Sequence, residues 1–277
     1  MSMNILSFPF FGRTFFRIPV IRLLSAAVVV LAVLCCPAEA AGQHRKKRFA
    51  VKKIGKKTIT VRQLKPSDRN IRGTLPPAAE VSIAAERFFA AIGKLPEDFV
   101  KRTGIKYVTF LRKPTLKGIS IGGVAVGDTI VLSVSSGEKA IFHELFHVFD
   151  LHEGKAKKWN RINPKKFVYT GSVYYEAKLT LRQKKRKKKN IASGAFKDDF
   201  VSSYAMSNEL EDRAETFSYM MVEGKRFLRR VKKSAVMRKK MIYIINMTGR
   251  RRLMGKEFWY NHLGITEEDL SDSPDPE

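Results

Sequence analysis

Cysteine is nearly missing from this chain of 277 residues: its only two, Cys35 and Cys36, are adjacent and lie within the first forty. No disulfide framework can staple the rest, which must fold on its apolar content alone. At 44% hydrophobic residues, that content suffices for one substantial globular domain with tails and excludes disorder throughout. Acidic residues are scarce as well. Asp and Glu number 26 against 53 Lys and Arg, a net charge of +27 that draws the chain toward anionic surfaces but says little about its fold. There is no internal repeat. The longest apolar run falls short of the ~20 residues that span a bilayer, which disfavours a permanent membrane anchor.

That run belongs to a segment with its own character. Arg13, Arg17 and Arg22 precede "LLSAAVVVLAVLCC", and "PAEAAG" follows, with Ala38 and Ala40 as the small residues an export peptidase requires. Residues 1–40 read as a secretory signal cleaved after Ala40, which places the mature chain in a periplasmic or secreted location and removes both cysteines. An uncleaved anchor is the lesser alternative. Leu34 and Cys35 stand where a lipoprotein needs a small residue before its cysteine, so lipidation is discounted. Residues 41–75, with "RKKR", "VKKIGKK" and "LKPSDRNIRG", offer little to bury and are expected to form a flexible, mostly extended basic arm. At the other end, residues 267–277 are expected to form a loose acidic tail.

Residues 76–266 read as one mixed domain. "PPAAEVSIAAERFFAAIGKL" has prolines before its first turn, apolar residues at helical spacing and a closing glycine, and "PEDFVKR" suits a second, shorter helix. The pattern then changes to the β-branched runs "YVTFLRK", "GISIGGVAV" and "DTIVLSVS", with "VGD" between the last two suiting a hairpin turn. The sheet is expected to be small, antiparallel or mixed, and "DTIVLSVS" to offer an edge to an extended substrate. Helix resumes after "SSGEK".

The helix "IFHELFHVFD" carries His143, Glu144 and His147 among Ile141, Phe142, Leu145, Phe146, Val148 and Phe149, which are apolar on nearly every side. By composition, a His-acid-x-x-His pattern arises in fewer than about one such chain in a hundred, so the polar trio calls for a cause. Residues four apart on a helix point the same way, which lets His143 and His147 share one metal ion while Glu144 holds and deprotonates a water. Zinc of the catalytic kind takes three protein ligands. The third is sought in "FVSSYAMSNELEDRAETFSYMM", where Leu210, Ala214, Phe217 and Met221 form an apolar stripe and Ser207 or Asn208 offers a cap. Glu211 and Glu215 share a face there. One carboxylate can bind the metal while the other orients a histidine. Asp150, one turn beyond His147, either supports the site or ends the helix, and His152 is expected to be exposed rather than a ligand.

Together, "HELFHVFD" and "SSYAMSNELEDRAETF" resemble the zinc peptidases of the anthrax lethal factor type, which include the Pro-Pro endopeptidases, within the gluzincin group. The resemblance runs over roughly residues 76–265 in order of elements and is close only at the two motifs. It implies an α+β zincin-like catalytic domain, with a small sheet followed by an active-site helix and a mostly helical C-terminal half. It further implies one Zn2+ held by His143, His147 and Glu211, with Glu144 as general base. Tyr204, seven residues before Glu211, matches the family tyrosine that assists the transition state, and Ala214 and Glu215 match its E-x-x-A-E pattern. Phe146, Asp212 and Arg213 depart from the small or aromatic residues common there and leave substrate preference open. The implied substrate is a protein or peptide.

The basic runs "RQKKRKKKN" and "KRFLRRVKKSAVMRKK" are not absorbed by that reading. The first is expected to be an exposed loop and the second a helix with one charged face. No aromatic-rich stacking motif or nucleic-acid fold signature accompanies the charge, which favours an anionic envelope polymer or lipid surface over nucleic acid. The alternative function is thus a basic envelope- or polyanion-binding protein whose metal site is structural or vestigial.

Overall fold

The computed structural model describes residues 48–54, 57–63, 70–153, 158–171, 181, 184–185, 194 and 196–271. The expected signal, most of the run "RQKKRKKKN" and residues 272–277 of the expected tail lie outside them.

Seven strands form the sheet: β1 (Arg48–Ile54), β2 (Lys57–Arg62), β3 (Ile71–Thr74), β4 (Tyr107–Leu116), β5 (Ile119–Ser120), β6 (Gly123–Val126) and β7 (Thr129–Ser133). Their main order is β1-β2-β4-β7-β6, and β3 and β5 pair with the far half of the long β4. Pairing is parallel for β2 with β4 and for β4 with β7, and antiparallel at the two outer pairs. The two residues Gly127 and Asp128 close the β6–β7 hairpin, with Gly127 at φ 61, a conformation that glycine adopts without a Cβ clash.

This topology corrects three expectations. Residues 48–62 are not a free arm. "KTITVR" alternates, so Ile59 and Val61 turn inward and are buried in the main core, while the intervening threonines and basic residues face out. "DTIVLSVS" does not supply an edge either, because β7 lies between β4 and β6, and β6 is the outer strand on that side among the described residues. "GISIGGVAV" is two strands rather than one, with β5 turned to β4 and β6 to β7.

Helices α1 (Ala78–Ile92) and α2 (Glu97–Thr103) fall where proline and glycine punctuate the chain. Pro77 and Pro96 precede them, and Gly104 ends α2 at φ 72. The helix α3 (Glu138–Glu153) packs against β6 and β7 on one side and against α1, α2 and α5 (Glu209–Val222) on the others. Phe142, Phe146 and Phe149 of α3 join Phe99 of α2 and Phe217 of α5 in a buried aromatic cluster, with the Phe146 and Phe217 rings stacked at 4.7 Å. This cluster locks the back of α3 and leaves its histidine face toward α5.

The remaining helices are α4 (Trp159–Ile162), α6 (Gly224–Val231), α7 (Ala235–Gly249), α8 (Lys256–Leu263) and α9 (Glu268–Ser271). The single helix expected for "KRFLRRVKKSAVMRKK" is two, because the Ser234 hydroxyl accepts the Met237 N–H at 3.1 Å and starts α7 afresh. Residues 268–271 of the expected loose tail are helical, and the Asp269 carboxylate accepts the Thr266 N–H at 2.8 Å just before them. The architecture is α+β and zincin-like: an open mixed sheet, then one central helix, then a mostly helical C-terminal half.

Candidate metal centre

Two helices present the polar cluster. On α3, His143 and His147 are one turn apart. Facing them, α5 begins at Asn208, whose side chain accepts the N–H groups of Leu210 and Glu211 at 2.9 and 3.0 Å. That cap fixes the first turn of α5 and with it Glu211. His143 Nε2 and His147 Nε2 stand 3.0 Å apart, and Glu211 Oε2 lies 3.0 Å from the first and 3.2 Å from the second.

These spacings fit one zinc ion. Two ligands of a four-coordinate zinc at ~2.0–2.1 Å are about 3.3 Å apart, and His143, His147 and Glu211 offer one ligand atom each within a single metal's reach. The electrostatics follow from this crowding of carboxylates around two imidazoles. Burial pushes the His143 ring toward neutrality, but the hydrogen bond to Glu211, the close Glu215 carboxylate and the nearby Glu144 charge outweigh it and raise its pKa to about 10. Burial would raise the Glu211 carboxyl, yet the two histidines hold it well below the usual range. The carboxylates thus favour a positive charge at this position, whether a proton on the ring or a bound cation.

Glu144 is buried beside the histidines. Desolvation raises its pKa, against the lowering pull of His143, His147 and the Ala125 backbone N–H. It fits only because Gly123 on the edge strand has no side chain: a Cβ there would come within 2.8 Å of Glu144 Cγ and 2.9 Å of Leu132 Cδ2. A glycine inside a strand signals such close approach, so this position was legible although unread.

Tyr204 stands at the rim of the cleft, 47% exposed, its ring centroid 5.9 Å from that of His143. Its turn is pinned: the Ser207 hydroxyl donates to the Tyr204 carbonyl, and Thr170 N–H donates to the Met206 carbonyl at 2.8 Å. Glu215 Oε1 lies 3.0 Å from His143 Nδ1, a bent contact, and Glu215 Oε2 accepts the Ser202 hydroxyl at 2.6 Å. Ser202 carried no sequence signal, since its role depends on a carboxylate thirteen residues away.

Asp150 neither ends the helix, which runs on to Glu153, nor caps it. Buried in the cleft floor, its Oδ2 accepts from Arg213 Nε and Nη2 at 3.0 and 2.8 Å, which ties α3 to α5. Asp212, next to Arg213, faces away from the cleft and accepts from Lys240 Nζ, Trp159 Nε1 and the Tyr169 hydroxyl at 2.8–2.9 Å. His152 is exposed and outside the cluster. Leu210 departs from the expected apolar stripe: Ala214, Phe217 and Met221 are buried, whereas Leu210 is 40% exposed in the cleft, as is Leu151 at 64%.

The cleft holds about 540 Å³ and runs between β6 and the two ligand-bearing helices. Glu144, Tyr204 and the three candidate ligand residues therefore share one solvent-reachable space, open along a strand edge that is unpaired among the described residues.

Residues 128–258 match the sequence model of a family described as "Putative zinc-binding metallo-peptidase". The matched span takes in both motifs, and the likeness is to that family rather than to the lethal factor type in particular. A crystal structure from Bacteroides caccae ATCC 43185, described in the same words, is similar over 69% of this chain and 79% of that one, at 12% identity and a TM-score of 0.44. No curated protein matches the chain.

Proposed function

We propose that the chain is an exported zinc-dependent endopeptidase of the gluzincin kind, with one zinc ion held by His143, His147 and Glu211. The observation that carries this reading is the convergence of those three ligand atoms, from two helices, at 3.0–3.2 Å beside a buried carboxylate. When bound, zinc supplies a Lewis acid that polarises a scissile carbonyl and brings the pKa of a water toward ~7. Glu144 takes the proton of that water and passes it to the leaving amine, a role suited to a carboxyl already raised by burial. From the rim, Tyr204 donates a hydrogen bond to the developing oxyanion. Glu215 holds the His143 ring by its far nitrogen. An extended peptide adds to the β6 edge through main-chain hydrogen bonds, which gives affinity with little sequence preference of its own. Export is supported by the basic, apolar and small-residue order of residues 1–40.

A second reading has its own observation. From Gly224 to Lys256 the chain carries thirteen basic residues and no acidic one, and all but the buried Lys240 are at least partly exposed, so α6 and its surroundings suit an anionic polymer or lipid surface. This is compatible with the peptidase, as a means of placing it, and stands alone only if the metal site is inert.

Elemental analysis of the mature chain beside Glu144→Ala and Glu211→Ala, each assayed on a peptide library, tests both readings. The expected result is one zinc and cleavage in the wild type, zinc without cleavage in Glu144→Ala, and no zinc in Glu211→Ala. A wild type with neither zinc nor cleavage overturns the peptidase and leaves the basic surface as the function.

A further inference from the structure

The turn that bears Tyr204 and the ring that faces the metal position meet at one hydroxyl. Ser202 Oγ accepts the Ala205 N–H at 3.0 Å, closing the turn around Tyr204, and donates to Glu215 Oε2 at 2.6 Å. The other oxygen of Glu215 lies 3.0 Å from His143 Nδ1. His143 Nε2 is one of the three convergent atoms, and its ring centroid is 5.9 Å from that of Tyr204. Lys139, whose Nζ is 3.6 Å from the same Glu215 oxygen and 3.8 Å above the Tyr219 ring, adds a cation on the outer side.

Resting on the peptidase reading, we infer that Ser202 is a positioning residue that couples the Tyr204 turn to the ligand His143 through Glu215. Its two hydrogen bonds join the turn to the carboxylate that lies against the ring. A Glu215 carboxylate that swings away from His143 withdraws the acceptor that orients the Ser202 hydroxyl, and with it the fixed placement of the oxygen that receives the Ala205 N–H. Conversely, a turn that opens withdraws a strong hydrogen bond from a carboxylate that needs both of its oxygens engaged to hold the ring. Metal affinity and oxyanion stabilisation, which involve different groups, therefore share one support. Ser202 touches neither metal nor substrate.

The test uses Ser202→Ala and Ser202→Thr in the full mature chain. Zinc affinity is read by competition with a chromogenic chelator, and kcat and KM on a peptide that the wild type cleaves. Each variant is also combined with Tyr204→Phe, and folding is checked by circular dichroism. Loss of a partner that orients a ligand costs 10- to 100-fold in metal affinity or activity, and a contact one step further out belongs at the low end. Ser202→Ala is expected to bind zinc about tenfold more weakly and to lose about tenfold in kcat, with KM little changed and thermal unfolding still cooperative. Ser202→Thr, which keeps the hydroxyl, restores both. In the Tyr204→Phe background, Ser202→Ala costs less in kcat than in the wild type, while its cost in zinc affinity is undiminished. The inference is overturned if zinc affinity and kcat stay within twofold of wild type, if Ser202→Thr fails like Ser202→Ala, or if the two substitutions are additive in kcat. Each of those results leaves the peptidase standing. A wild type that binds no zinc removes both together.

Discussion

Asp212 and Arg213 are neighbours in the chain, both buried and both ion-paired, yet they are built on opposite plans. Asp212 is an acceptor at the centre of several donors: Lys240, Trp159 and Tyr169 all converge on its carboxylate, and Lys240 also donates to the Asp199 carbonyl at 3.1 Å. Arg213 is a donor with one acceptor, and among the described residues the pair it forms leaves Arg213 Nη1 and Asp150 Oδ1 without hydrogen-bond partners. The first pair pins α5 to the helical half behind it. The second spans the two ligand-bearing helices, three residues beyond His147 and two beyond Glu211. Saturated hydrogen bonding on the far side of α5 and a looser clamp on the near side suggest that the helix is anchored from behind and adjusted at the front. Buried pairs of this sort are costly to break from one end and neutral to replace whole.

That comparison can be broken by measurement. The largest effect is expected for Asp212→Ala, which strands three buried donors, one of them charged, and should cost about 4 kcal/mol in urea unfolding. Asp150→Ala comes next at about 3 kcal/mol: only Arg213 is stranded, but a guanidinium cannot shed its proton to escape. A reversal of this order would show that the obligate charge outweighs the number of donors. Replacing the second pair whole, as Asp150→Leu with Arg213→Met, should return stability to within about 1 kcal/mol of wild type while weakening zinc binding, which separates the clamp's mechanical part from its energetic one. Zinc at a hundredfold its dissociation constant should stabilise the wild type by about 2.7 kcal/mol, and at the same zinc concentration Asp150→Ala by distinctly less, read as a shift in melting temperature. The smallest effect, about 1–2 kcal/mol, is expected for Gly123→Ala, which overpacks Glu144 without touching either pair; its loss of turnover should exceed its loss of stability.

Much of this was readable in one dimension. The spacing of His143 and His147, the apolar faces of α1 and α3, a cap at Ser207 or Asn208 and the Gly127 turn are local, and local rules locate them; only the structure chooses Asn208 as the cap. What escaped is non-local or diluted. Ile59 and Val61 alternate as a buried strand should, but lysines and arginines on either side masked two inward residues. That β6 and not β7 forms the edge depends on the parallel pairing of β4 with β7, which spacing alone does not dictate. Leu210 sits in register with the buried stripe of α5 and is bared only because the cleft opens at that turn. Asp212 and Arg213 looked like departures from a motif, and they became intelligible once Lys240, twenty-eight residues on, and Asp150, sixty-three residues back, were seen beside them.

The ligand set has one more consequence, in time rather than in space. His147 and Glu211 are 64 residues apart in the chain. At a synthesis rate of about 5–20 residues per second, the histidine pair precedes its carboxylate by roughly 3 to 13 s. For that interval the nascent chain holds two imidazoles without the group that completes their grip. On the proposed reading, tight metal capture would wait for the docking of α5 on α3, so that acquisition of the ion would report that these two helices have met.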